Sequence, residues 1–388
     1  MAKINSFWFG QMPFLPNVAH LPVNETLEFL TDQQLSYNGK EQNIQLRSMA
    51  RQTFRYELPL QASAMAAAFN TGYGAIRASM WAVPQWTDFQ YVGNVALNAF
   101  TINCDTTHFD LRAHSMAMLY DGCGNWQVVD IDTVTETGIT LVSGTTQAYR
   151  GAMLIPVRRG FIVDNFNRNS NGFKGNVGLT FQVQDLKEVV VSAPTQFLGN
   201  DIYFDPGLLD GEFEAMQFRK RQDIIDFSLG LMQTRTPWTM TKVARNYRNL
   251  SFTPTERKQF RDFIFRRYGK TVPFWLPTFT HDIRITNAGT IVSTLNAPRD
   301  SYIDYASART HIAIEAGGVW YPRTISSVTP TSGDTMQLAL SSPLNVPASS
   351  VSRVSYLGLN RLDTDTIEFN HNDPKSVESV VSIIETSP

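Results

Sequence analysis

Residues 251–282 read SFTPTERKQFRDFIFRRYGKTVPFWLPTFTHD, and they decide the fold because their end has an echo near the start of the chain. The opening of the stretch predicts a helix. Thr253 is placed as N-cap, Pro254 as the first helical residue and Glu256 as the return partner of a capping box. Phe260, Phe263 and Ile264 share one face, and Gly269 supplies the stop. The echo lies just beyond the helix: Trp275-Leu-Pro277-Thr-Phe279-Thr-His-Asp282 against Trp81-Ala-Val-Pro84-Gln-Trp86-Thr-Asp88.

The same spacing of 193 or 194 residues relates Asp32 to Asp226, Ala50-Arg51 to Ala244-Arg245, and Trp126 to Trp320. It also relates Val134 to Val328, Arg159 to Arg353, and Asn167-Arg168 to Asn360-Arg361. A shared register in similar local context predicts a duplicated domain. Each half then reads in the same order: a charged extended lead-in, a helix, the Trp–Pro motif, and short strands. The first helix is expected in PLQASAMAAAFNTGYG, which ends in glycines like its counterpart.

Period-two alternation marks the strands. Leu179, Phe181 and Val183 alternate in one, Ile312 and Ile314 in another, and Met336, Leu338 and Leu340 in a third. Turn-rich segments such as YDGCGNW and TPTSGD separate them. The fold class is therefore mainly β (α+β), two tandem diverged copies of a β-rich domain with one main helix each. The expected layout is an N-terminal arm over 1–20, a first repeat over 21–190, a connector over 191–220 and a second repeat over 221–388.

Bulk properties narrow the function. Charged residues make up 18% of the 388 and the net charge is −2, which argues against a surface built to hold polyphosphate. The two cysteines make no disulfide framework. The first twenty residues lack a signal-peptide apolar core, and no uncharged apolar run approaches the roughly 18 residues of a membrane span. Synthesis in the cytosol, without a membrane partner, is expected.

Arg257, Lys258, Arg261, Arg266, Arg267 and Lys270 interleave with aromatics, as a nucleic-acid helix would. Residues 60–71, the counterpart, carry no charge, so the basic face is not an ancestral nucleic-acid element. Arg257, Arg261, Arg266, Arg267 and Lys270 are read instead as solvated or as subunit contacts. Trp81, Pro84, Trp86, Trp126, Trp275, Pro277, Phe279 and Trp320 are read as structural anchors, with sugar stacking as the alternative.

Cys104, His108, His114 and Cys123 have zinc-ligand chemistry, but their spacing fits no short zinc knuckle and the second half has neither cysteine. Asp130 with Asp132, and Asp363, Asp365, Glu368, His371 and Asp373, lack a calcium-loop pattern. No nucleophile elbow, zinc-protease helix or phosphate loop occurs, and the six histidines share no motif. Neither catalytic residue, metal nor cofactor is expected.

The lead-in over residues 30–58, with Thr31-Asp32, Asn38-Gly39, Glu41-Gln42, Arg47, Arg51 and Arg55, resembles the start of bacteriophage distal-tail and minor tail proteins. The stretch FTPTERKQFRDFIFRRYGKTVPFWLPTFTHD is similar to the later part of the same proteins, where a helix leads through glycine to Phe-Trp-Leu-Pro. The resemblance implies a virion structural protein of the tail tip or baseplate, a homo-oligomeric ring between the tail tube and the hub or fibres. A hub or fibre adaptor and a carbohydrate-binding host-recognition protein are the alternatives. A duplicated chain could let a trimer present six similar domains. On that view the basic helix face would meet an acidic neighbouring subunit, and reversing Arg261 and Arg266 would impair assembly while the domain stayed folded.

Overall fold

The computed structural model describes residues 8–9, 12–13, 20–61, 79–163, 167–171, 174–185, 194–207, 216–228, 230–238, 241–299, 309–331, 334–373 and 376–386. The chain is mainly β, 57% strand and 7% helix. Of the helix expected in the first half, Pro59–Gln61 form the end of a strand instead, and the remainder lies outside the described residues.

The first half opens with β1 (His20–Glu28), a hairpin of β2 (Thr31–Leu35) and β3 (Glu41–Gln45), and β4 (Arg51–Gln61). After β5 (Trp81–Pro84) come β6 (Gln90–Val95), β7 (Thr101–Asn103), β8 (Met116–Tyr120), β9 (Trp126–Thr135) and β10 (Gly138–Leu141). β11 (Tyr149–Ile162), β12 (Asn167–Ser170) and β13 (Lys174–Val183) complete it. β4 pairs with β1 and β13, β11 pairs with β5, β8 and β13, and β9 links β8 to β10. β10 goes on to β7, and β12 pairs with β13.

The connector expected over 191–220 contributes strands of its own: β14 (Gln196–Phe197), β15 (Asn200–Ile202) and β16 (Met216–Arg219). A hairpin of β17 (Asp223–Asp226) and β18 (Met232–Arg235) leads to β19 (Lys242–Ser251) and α1 (Pro254–Arg267). Then come β20 (Phe274–Pro277), β21 (Thr294–Pro298), β22 (His311–Ala316), β23 (Val319–Pro330) and β24 (Thr335–Leu340). The last strands are β25 (Val351–Leu362), β26 (Thr366–His371) and β27 (Val377–Glu385). β19 pairs with β16 and β27, β25 pairs with β20, β22 and β27, and β23 links β22 to β24. β24 goes on to β21, and β26 pairs with β27.

One antiparallel ladder joins the halves. β1 lies between β4 and β26, with Leu27 opposite Ile367 and Glu25 opposite Phe369. The alternating residues singled out in the sequence turn inward: Leu179, Phe181, Val183, Ile312, Ile314, Met336, Leu338 and Leu340 are all buried.

α1 has the caps its sequence predicts. Thr253 Oγ1 accepts from the Glu256 backbone N–H at 3.2 Å, and the Glu256 carboxylate accepts from the Thr253 N–H at 3.3 Å. The end is set by two residues rather than one, since the backbone turns left-handed at Tyr268 and stays so at Gly269. A Cβ at Gly269 would strike Asp365 and Phe29, so glycine is needed there for space as well as for φ. The apolar face packs Phe260, Phe263 and Ile264 against Phe274, Phe369 and Ile383, and also against Leu27 and Phe29 from the first half. Thr253→Ala should cost about 1 kcal/mol of stability, read as a lower urea midpoint with unchanged slope.

Candidate functional site

The basic face of α1 does not look outward. Arg261 is paired with Glu25, which is fully buried on β1, and lies 3.8 Å from Asp88. Arg257 donates to the carbonyl of Thr87 at 2.7 Å and lies 3.4 Å from Asp88, in the turn after β5. One side of the helix thus grips the first half through two carboxylates.

The other side holds the connector. Arg267 is fully buried, bonds Asp201 on β15 and donates to the Pro273 carbonyl at 2.8 Å. Arg266 makes two further bonds to the same carboxylate, at 2.8 and 2.7 Å. Lys258 pairs with Asp262 one turn along the helix at 2.5 Å. The Lys270 backbone N–H donates to Asp365.

This corrects the reading of Arg257, Arg261, Arg266 and Arg267 as subunit contacts. Their guanidinium groups are spent within the chain, and Arg267 has no surface to offer. Basic residues at helical spacing suggested a solvated face, but the acids they meet lie far away in sequence.

Glu25 is the centre of the network. Burial alone would raise its pKa, but the Arg261 charge, followed by hydrogen bonds from His371 and Gln52, overcomes this and holds it at about 2. A second buried acid repeats the device where the β2–β3 hairpin leans on the second half. Glu41 accepts from Arg361 Nε at 2.6 Å and from the buried Lys242, and these partners outweigh burial to lower its pKa. Tyr37 at the hairpin tip donates to Asp223 at 2.6 Å.

The anchor candidates take two kinds of place. Trp81, Pro84, Trp275 and Pro277 are buried in β5 and β20. Trp275 Nε1 donates to the Phe197 carbonyl at 2.8 Å. Trp86, Trp126, Phe279 and Trp320 are partly buried. Trp86 meets Tyr120 edge-on, while Trp320 stacks on Phe204 and meets Phe279.

Among the described residues no group of three His, Cys, Asp or Glu comes together as a metal cage. Burial, reinforced by Asp105, pushes the Cys104 thiol up to about 11, while Cys123 is exposed. His108 Nδ1 lies 2.7 Å from Asp105, and His114 is not part of that pair. Of the acidic cluster, His371 joins Glu25, Asp363 pairs with Arg361 and Arg219, and Asp373 caps Ser376. Asp365 accepts from the Thr31 N–H and hydroxyl. These groups tie strands together, and Asp130 and Asp132 are exposed on β9.

Two of the strand edges left unpaired among the described residues are more telling. β16 pairs with β19 alone, and β12 with β13 alone. Beside β16 the β17–β18 hairpin exposes Ile224, Phe227, Leu231 and Met232. Exposed apolar groups next to an open edge form a surface on which a further strand can pair.

Comparison with known proteins finds no family model that matches the chain and no curated protein similar to it. Among the described residues no helix is long and apolar enough to cross a membrane.

Two outcomes test the buried network. Arg261→Ala should destabilise the chain by about 3–5 kcal/mol, because it strands a buried carboxylate. Urea unfolding reads this directly. Glu25, held below its ordinary 4.5, contributes stability above about pH 4.5 that is lost as pH falls toward 2. The gap in unfolding free energy between the native protein and Glu25→Gln should therefore close over that window.

Proposed function

We propose that this chain is a structural, non-catalytic protein of a bacteriophage tail tip or baseplate, forming a homo-oligomeric ring joint between the tail tube and the hub or fibres. The virion is its place of action, and other copies of itself its first partners. Within this reading the chain consists of two tandem, diverged copies of one β-rich domain. The lead-in and the Phe-Trp-Leu-Pro stretch, which resemble distal-tail proteins, support the family part.

The observation that carries the reading is the agreement of the two sets of ladders. Every pairing of β1–β5 and β7–β13 within the first half has a counterpart in the second. The agreement extends to irregularities. Gly39 and Gly230 hold positive φ in the two hairpins, and Trp126 faces Tyr120 as Trp320 faces Glu315. The ladder slips after Ile131 in one half and after Ile325 in the other. At that slip the Ile131 N–H donates to Ser115 and the Ile325 N–H to Thr310. Pro84 faces Val157 as Pro277 faces Leu357.

Under this matching the spacing grows along the chain rather than holding at 193–194. It is 191 residues at Gly39 and Gly230, 193 at Pro84 and Pro277, and 200 at Val157 and Leu357. Asp32 therefore answers to Asp223, not Asp226. The identities at Ala50-Arg51, Arg159 and Asn167-Arg168 fall on ladder positions that do not correspond.

The test is the mass of the purified protein by light scattering, with negative-stain images of the same fraction. A ring with a central opening is expected, and two copies per chain favour three molecules per ring. A uniform monomer whose tryptophan fluorescence is quenched by glycans would overturn this in favour of a host-surface binder.

A further inference from the structure

One joint has no counterpart within the chain. β1 of the first half bridges to β26 of the second. The matching strands are β16 and β12, and among the described residues each has a single partner. The molecule thus makes one half-to-half joint internally and carries both edges of a second. We propose that β16 pairs antiparallel with β12 of a second copy of this chain, repeating the β1–β26 joint head to tail around a closed ring; this rests on the duplication put forward above.

The internal joint sets the register. Glu25 faces Phe369 and Thr26 faces Glu368. The matching ladders then place Met216 opposite Arg168 of the second copy, and Gln217 opposite Asn167 of the second copy. Strand addition at an open edge supplies backbone hydrogen bonds, and side chains fix the partner. A head-to-tail contact of this kind closes into a ring or runs on as a filament.

Side chains support the same joint independently. Leu27 is fully buried beneath the internal seam, whereas its counterpart Phe218 is 68% exposed. Glu41 lies between Lys242 and Arg361. Its counterpart Met232 is 68% exposed, and Phe161, the counterpart of Arg361, is 38% exposed. Val163 stands for Asp363, and their backbones bond alike: the Val163 N–H donates to Thr180 and the Asp363 N–H to Ser382. The counterpart of Lys242 is Arg51, and in place of the Glu41–Arg361 ion pair the open edges carry an apolar pair, each half of it left in water on a single molecule. Bringing Met232 onto Phe161 of the next copy removes both from water.

Cross-linking tests the register. Gln217→Cys with Asn167→Cys, in a background of Cys104→Ser and Cys123→Ser, should give covalent multimers on mild oxidation. Either cysteine alone should give none of that ladder, and moving the second cysteine to Asn169 should lower the yield at least several-fold. Met232→Arg, set against Arg51 of the next copy, should dissociate the assembly while leaving circular dichroism unchanged, since the residue is exposed on the monomer. Adding Phe161→Glu should restore it by placing a carboxylate against the new cation between molecules.

Rings without cross-linking would overturn the strand pairing and leave the ring reading standing. Cross-linked open filaments would uphold the pairing and overturn the ring joint. A monomer that neither associates nor cross-links at any concentration would overturn both. Met232→Arg rings identical to the native ones would overturn the hairpin contact.

Discussion

The architecture depends on one strand having partners on both sides. β1 lies between β4 and β26, and that ladder carries a buried carboxylate, Glu25, into the space beneath α1. A buried charge is tolerated only where a counter-charge and hydrogen bonds replace water, and Arg261, His371 and Gln52 do so. The helix must therefore sit where Arg261 can reach Glu25. With Arg267 held at Asp201 on its other side, α1 is fixed between the first half and the connector.

A buried ion pair and a well-packed apolar substitute are often close in energy, while half a pair is costly. The chain also packs Phe260, Phe263, Phe274 and Phe369 around the same helix. The aromatics pack around the helix, while the ion pairs join it to the two surfaces that flank it. Glu41 with Lys242 and Arg361 repeats the arrangement under the first hairpin, so two of the contacts between the halves are keyed by a buried acid.

The same logic explains why the two halves differ in their charges while agreeing in their ladders. Pairings are made by the backbone, which is indifferent to sequence so long as the alternation of apolar residues holds. Side chains at a joint answer to what lies across it. Glu41 faces cations, and Met232 in the corresponding place faces water on a single molecule. Under the proposed duplication, divergence concentrated at such positions is what unequal surroundings would produce.

The strands, the capped helix and the echo of the Trp–Pro motif were legible because each is local: period two, a Thr-Pro-Thr-Glu start, a proline at matching distance. The sequence by itself determined a mainly β chain whose second half bears α1. Under the proposed duplication, the fixed spacing of 193–194 misassigns several residues, because ladder positions shift with each insertion, which only the pairing partners reveal. The basic face of α1 was misread for a similar reason. Arg261 and Glu25 are 236 residues apart, and no local pattern reports so distant a partner. Which charges are buried, which strand bridges the halves and which edges stay open are properties of long-range contact, and tertiary structure alone decided them.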